Sequence, residues 1–242
     1  MQTSNPVFRN DPFSAARPSG ASMTIGGTVG KTSFLLVLAL LTAGVTWSLF
    51  NRGVNVMPLA LGAGVVGFLV ALGTSFKPTW SMILAPIYAL LEGVVIGGIS
   101  AVYNQKYPGI ALAAAGGTAA TMAGLLFAYQ TGIIRASDNF KRGVVAATMG
   151  IFFFYLGMMV LGLFGIQMNA INGSGWMGIG FSVFVVIIAA LNLVLDFDFI
   201  EQGARQGAPK YMEWYAAFGL MVTLIWLYLE ILRLLAKVAG RR

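Results

Sequence analysis

The stretch Phe181 to Leu195, FSVFVVIIAALNLVL, carries apolar side chains on every side of whatever it forms. A barrel strand would alternate apolar and polar residues, and this segment does not. Lipid gives the backbone no hydrogen-bond partners, so an open strand is excluded and a helix remains. With its flanks the run covers 176–200, beyond the roughly 20 residues a bilayer core requires. It predicts a membrane-spanning helix.

The same reading extends outward to six further spans, at 32–50, 56–73, 80–103, 110–130, 143–166 and 211–237. Short polar breaks separate them, among them Asn51-Arg52-Gly53, Lys77-Pro78, Tyr107-Pro108-Gly109 and Asn172-Gly173-Ser174-Gly175, all built from turn residues. Of the 242 residues 58% are hydrophobic and only 10% charged, against about 25% charged in a soluble domain. The fold class is therefore all-α, a polytopic bundle of seven transmembrane helices occupying 31–242. Residues 1–30, rich in Ser, Gly, Pro, Asn and Thr, read as a polar, partly disordered N-terminal tail. A cleaved signal peptide would place its apolar stretch nearer the start, so none is expected.

The net charge of +7 would suggest nucleic acid in a soluble protein. Here the cations lie between apolar runs, so they read as topology signals and contacts to anionic lipid. Nine basic residues (Arg9, Arg17, Lys31, Lys77, Arg135, Lys141, Arg142, Arg205 and Lys210) fall on the N-terminal side, against Arg52, Lys106, Lys237, Arg241 and Arg242 on the other. That asymmetry predicts a cytoplasmic N-terminus in a cell membrane. Seven spans then place the basic C-terminal tail outside, a conflict that a re-entrant last segment would remove.

The chain has neither cysteine nor histidine, so thiol chemistry, thiolate metal sites and the usual general base are absent. Intramembrane carboxylates carry the chemistry instead. Glu92 lies mid-way along the third run, Asp196 and Asp198 near the end of the sixth, and Glu230 deep in the seventh. A charge at a helix centre costs about 2.5–3.5 kcal/mol on insertion scales, so it normally faces a bundle interior and marks a pathway. Glu230 has Arg233 at i+3 and could simply be ion-paired along its own helix. Asp196 shares a face with Asn192 at i−4, whereas Asp198 points about 200° away. Glu201 and Arg205 read as a solvated pair, and Glu213, beside Tyr211, Trp214 and Tyr215, as interfacial. Small residues at Gly93, Gly97, Gly116, Ala120 and Gly124 read as close helix packing.

At Leu91-Glu92-Gly93 with Gly97-Gly98, at Leu195-Asp196, and at Leu227-Tyr228-Leu229-Glu230 with Arg233, the chain resembles a bacterial branch of the transmembrane Bax-inhibitor-motif family. Asn5-Pro6-Val7-Phe8 and Lys31-Thr32 also look like this branch, and the resemblance covers residues 23–237. It implies a bacterial inner-membrane protein whose seventh helix is surrounded by the other six. It also implies a pH-sensitive Ca²⁺ leak governed by an acidic pair, here Asp196 and Glu230. Glu stands at 230 where the family usually has Asp. In a simple hairpin centred near residue 207 the two carboxylates would be offset by about 18 Å, so they meet only if span six extends or 209–217 lie along the interface.

Two functions follow as expectations. The first is a cation leak gated by protonation, with Glu92, Asp196 and Glu230 on the path, supported by Asn192, Asp198 and Arg233. Carboxylate oxygens suit Ca²⁺, which Asp196 and Glu230 would hold transiently; no other cofactor is expected. The second is a non-conducting regulatory partner of a membrane protease or stress-response complex. An intramembrane enzyme is not expected: no Gly-x-Gly-Asp is present, Ser174 lacks the rhomboid glycine and a histidine, and Lys237 sits at the very end of its span.

Overall fold

Thr24, extended and with its side-chain oxygen accepting the Gly27 N–H, caps the first helix. Helix α1 therefore begins at Ile25, inside the stretch expected to be tail, and runs to Asn51. The computed structural model describes residues 21–165 and 173–241, so most of the expected tail and Asn172 lie outside the described residues. After α1 come α2 (Met57–Phe76), a 3₁₀ turn at Pro78–Trp80, α3 (Ser81–Lys106), α4 (Ile110–Gln130), α5 (Asp138–Leu163), α6 (Trp176–Arg205) and α7 (Met212–Ala239). All seven are long and apolar enough to cross a membrane.

Several helices outrun the apolar stretch that announces them. Ser137 caps α5 by accepting the Phe140 N–H, with Asp138 in the first turn, where a carboxylate meets the positive end of the helix dipole. Helix α6 continues through Asp198, Glu201 and Arg205 before it ends. Helix α7 is continuous across 28 residues, so the re-entrant alternative does not occur. The C-terminal end thus lies on the opposite side of the bundle from the start of α1. Two of its cations are held in place: Lys237 is only 8% exposed, and Arg241 stacks on Trp176 at 3.9 Å.

Helices α1, α2 and α3 form one packed group, α4, α5 and α6 a looser one, and α7 packs against α1, α3, α4 and α6. More of α7 is buried than of any other helix. Gly93 and Gly97 permit the tightest approach. A methyl at Gly97 would stand 2.7 Å from Ala43 Cα, and one at Gly93 would strike Thr42 and the Ala39 carbonyl. Two backbones touch there because neither side chain intervenes. The expected face of α4 is different. A methyl at Gly116 or Gly124 would meet nothing within 4 Å, and Gly117 is the glycine that meets Ile231 of α7. Apart from Met122, every position from 116 to 124 is Gly, Ala or Thr, so spacing alone does not single out the buried stripe.

Candidate functional site

Residues Thr223, Glu230 and Lys237 recur at intervals of seven along α7, as do Ser182, Ala189 and Asp196 along α6. Seven residues are nearly two full helical turns, so each trio forms one stripe. The antiparallel helices bring the stripes face to face. Lys237 donates to Ser182 Oγ at 2.9 Å and to the Gly178 carbonyl at 3.0 Å, while Asp196 meets Thr223. That register places Glu230 opposite the small Ala189.

Helix α5 covers this seam. Asn192 donates from Nδ2 to Thr148 Oγ1 at 2.8 Å and to the Ile188 carbonyl at 2.8 Å. Asp198 pairs with Lys141 and accepts from Gln202. It faces α5, on the other side of α6 from Asp196, as the angle between them requires. Glu201 pairs with Arg205, and also accepts a hydrogen bond from Tyr129 of α4.

Glu230 is 1% exposed. Arg233 reaches both of its oxygens, at 2.9 and 3.0 Å, and the Tyr155 hydroxyl of α5 donates to Oε1 at 3.1 Å. Arg233 also donates to that hydroxyl at 2.7 Å. The local i+3 pair read from the sequence is present, and Tyr155 ties it to a second helix. Removing either charge strands the other. Glu230→Gln and Arg233→Gln should each destabilise the protein by an amount between the ~1 kcal/mol of an exposed pair and the ~3–5 kcal/mol of a buried one. Thermal melts of the detergent-solubilised protein should show the double variant losing less than the sum of the single ones; strict additivity would mean the contact has no energetic weight.

Asp196 is the exception in the seam. Its Oδ2 is buried and has no hydrogen-bond partner among the described residues, an arrangement rare enough in native structures to require an explanation.

The structure does not bring Asp196 and Glu230 together. Opposite Thr223, Asp196 stands seven residues from Glu230 along α7, about 10 Å. The offset is smaller than in the simple hairpin because α6 extends to Arg205 and the reversal occupies residues 206–211. It is still too large for both carboxylates to ligate one Ca²⁺, whose oxygen ligands lie about 2.3–2.6 Å away. Among the described residues no three acidic groups gather into a metal site.

Glu92 lies apart from both. It is half-buried at the α2–α3 seam, its carboxylate close enough to Gly67 that a methyl there would approach it to 3.4 Å. Its carboxylate meets the Tyr88 hydroxyl one turn back on α3, and the Tyr88 ring packs on Phe218 of α7 at 5.0 Å, so this acid reaches the central helix only through Tyr88.

Sequence reasoning missed two charged residues. Lys237, read as a tail cation, closes the far end of the seam. Glu213, read as interfacial, is fully buried. Its carboxylate accepts from the Thr24 N–H and hydroxyl, both at 2.9 Å, from Lys210 at 2.7 Å, and from Lys31. The Met23 N–H donates to the Ala208 carbonyl at 2.7 Å, and Ser22 bridges to Pro209. Together these contacts strap the start of the described chain across the α6–α7 turn. Only Lys210, at i−3, was visible as a local signal.

A seven-helix membrane bundle with its last helix central and a buried polar seam along that helix is the class these observations define. The chain matches the family described as Bax inhibitor 1 like over residues 5–240 and belongs to it. No curated protein matches the chain.

Proposed function

We propose that the chain is a proton-gated cation leak, with Ca²⁺ as the ion its oxygen groups suit best, and that the α5–α6–α7 seam is the path. The observation that carries this reading is the buried, unpartnered Oδ2 of Asp196 beside the central helix. One proton decides whether that site carries a charge, and a buried carboxylate attracts a passing cation only when ionised. The Glu230–Arg233–Tyr155 contact closes the path below it. Helix α5 packs on α6 and meets the α7 acid through Tyr155, so a shift of α5 releases Glu230 without dismantling the core. Ca²⁺ then passes between acids in sequence rather than being held by two at once. Glu92 lies off this path.

The test is cation flux into liposomes containing only this protein, across about pH 5 to 8, the range in which protonation switches operate. Flux that rises with pH supports the leak. Silence at every pH would replace it with the regulatory reading, in which the bundle restrains a membrane protease without conducting.

The reading places the chain in a bacterial cell membrane with its N-terminal side in the cytoplasm. Lys31, Lys77, Arg135, Lys141, Arg142, Arg205 and Lys210 gather at that end of the bundle, as the positive-inside rule requires. Cysteines at the exposed positions Thr131 and Gln105 lie at opposite ends. An impermeant thiol reagent applied to intact cells should label only the Gln105→Cys variant; labelling only Thr131→Cys would invert the topology.

A further inference from the structure

Helices α1 and α4 flank a cavity of about 710 Å³ without packing on one another, and α3 and α7 form its floor. The gap has a local cause. Along it α1 presents Ala43 and Gly44, and α4 presents Ala115 and Ala119, positions too small to fill the space between two helices. The surface is almost wholly apolar. Its principal mid-membrane polar feature, on the floor, is the Ser100–Tyr228 pair, whose hydroxyls bond to each other at 2.6 Å.

The cavity follows α1 from Leu36 to Asn51, about 22 Å at 1.5 Å per residue. One leaflet of hydrocarbon is about 15 Å deep, so the cleft is longer than a leaflet and reaches the interface. At that end it is lined by Trp47, Ser48 and Asn51, with the exposed Arg52 next in the chain. An indole, an amide and a cation at headgroup level complement the glycerol and phosphate of a lipid. On both sides the flanking helices expose large apolar residues, including Leu41, Val45 and Phe127, so the mouth opens onto the bilayer.

We infer that this cleft is a binding site for one acyl chain of an anionic phospholipid, with the headgroup at Asn51 and Arg52. Wall atoms facing an empty gap would forfeit dispersion contacts on one side, and a methylene chain restores them without introducing a polar group. The inference is independent of conduction through the α5–α6–α7 seam, on the other face of α7.

The test uses the full-length protein in phosphatidylethanolamine–phosphatidylglycerol liposomes doped with a phosphatidylglycerol bearing a diazirine on one acyl chain. After illumination, peptide mapping should find adducts concentrated on the α1 and α4 residues of the cleft. Ala119→Trp, which fills it, should lower that labelling at least fivefold. Leu112→Trp, at an exposed position of α4 outside the lining, should leave it unchanged. Gly44→Leu provides a second way to fill the cleft, because a side chain there starts from open space. The same probe on a phosphatidylcholine headgroup should label the cleft more weakly. Adducts spread evenly over the exposed surface of α5, or cleft labelling that both filling variants leave intact, would overturn the site. Equal labelling by both headgroups would remove the anionic assignment.

Discussion

On the proton-gated leak proposed above, Asp196→Asn should remove most of the pH dependence of cation flux and hold the protein at the low-pH rate across the whole range. An amide keeps the shape of the protonated acid but never ionises. A unit charge about 4 Å from a passing cation is worth about 4 kcal/mol at an effective dielectric of 20, so the loss at high pH should exceed tenfold. Asp198→Asn is the internal control: it faces Lys141 on the opposite side of α6 and should leave the pH profile in place. Proteoliposome flux measured in parallel for the two variants settles the matter. A profile controlled by residue 198 and indifferent to 196 would move the gate to the other face of the helix.

The second large effect is on stability. Glu213→Ala should cost about 3–5 kcal/mol, the range for breaking a buried ion pair. It strands Lys31, whose side chain is 19% exposed, and leaves the Thr24 N–H without its acceptor. Lys210, 49% exposed, can turn to water and contributes little to that figure. Three glycines check the geometry independently. A methyl at Gly27 would collide with the Glu213 carboxylate, whereas methyls at Gly26 and Gly30 would meet nothing within 4 Å. Gly27→Ala should therefore destabilise, while Gly26→Ala and Gly30→Ala should be neutral or stabilising by up to ~1 kcal/mol through helix propensity. Thermal melts reading all three alike would mean that the strap does not close on α1.

The membrane bundle was legible because hydropathy over 20 residues is a local property, and so was the opposed direction of Asp196 and Asp198, which follows from one helix's period. The Glu230–Arg233 pair was legible for the same reason, being one turn apart. Tyr155 was not, since nothing in residues 138–163 indicates which side α5 presents to α7. The separation of Asp196 from Glu230 depended on where the turn at 206–211 begins and ends. The polar ends of α6 and α7 concealed that, because charged terminal turns continue a helix past the apolar run. The burial of Glu213 was not legible because its decisive partners, Thr24 and Lys31, come from the far end of the chain. The seven-residue spacing of Thr223, Glu230 and Lys237 was a signal available in the sequence, and it marks the seam.

The burial of α7 among α1, α3, α4 and α6 has a consequence for biogenesis. The helix that joins the two groups leaves the ribosome after both of them. Until it inserts, the α1–α3 and α4–α6 groups share few contacts, and Lys31 waits for a carboxylate 182 residues downstream. The nascent protein must persist in the bilayer as two half-assemblies with an open interior. A chain stopped short of Met212 therefore yields a half-built product exposed to quality-control proteolysis, rather than a smaller working bundle.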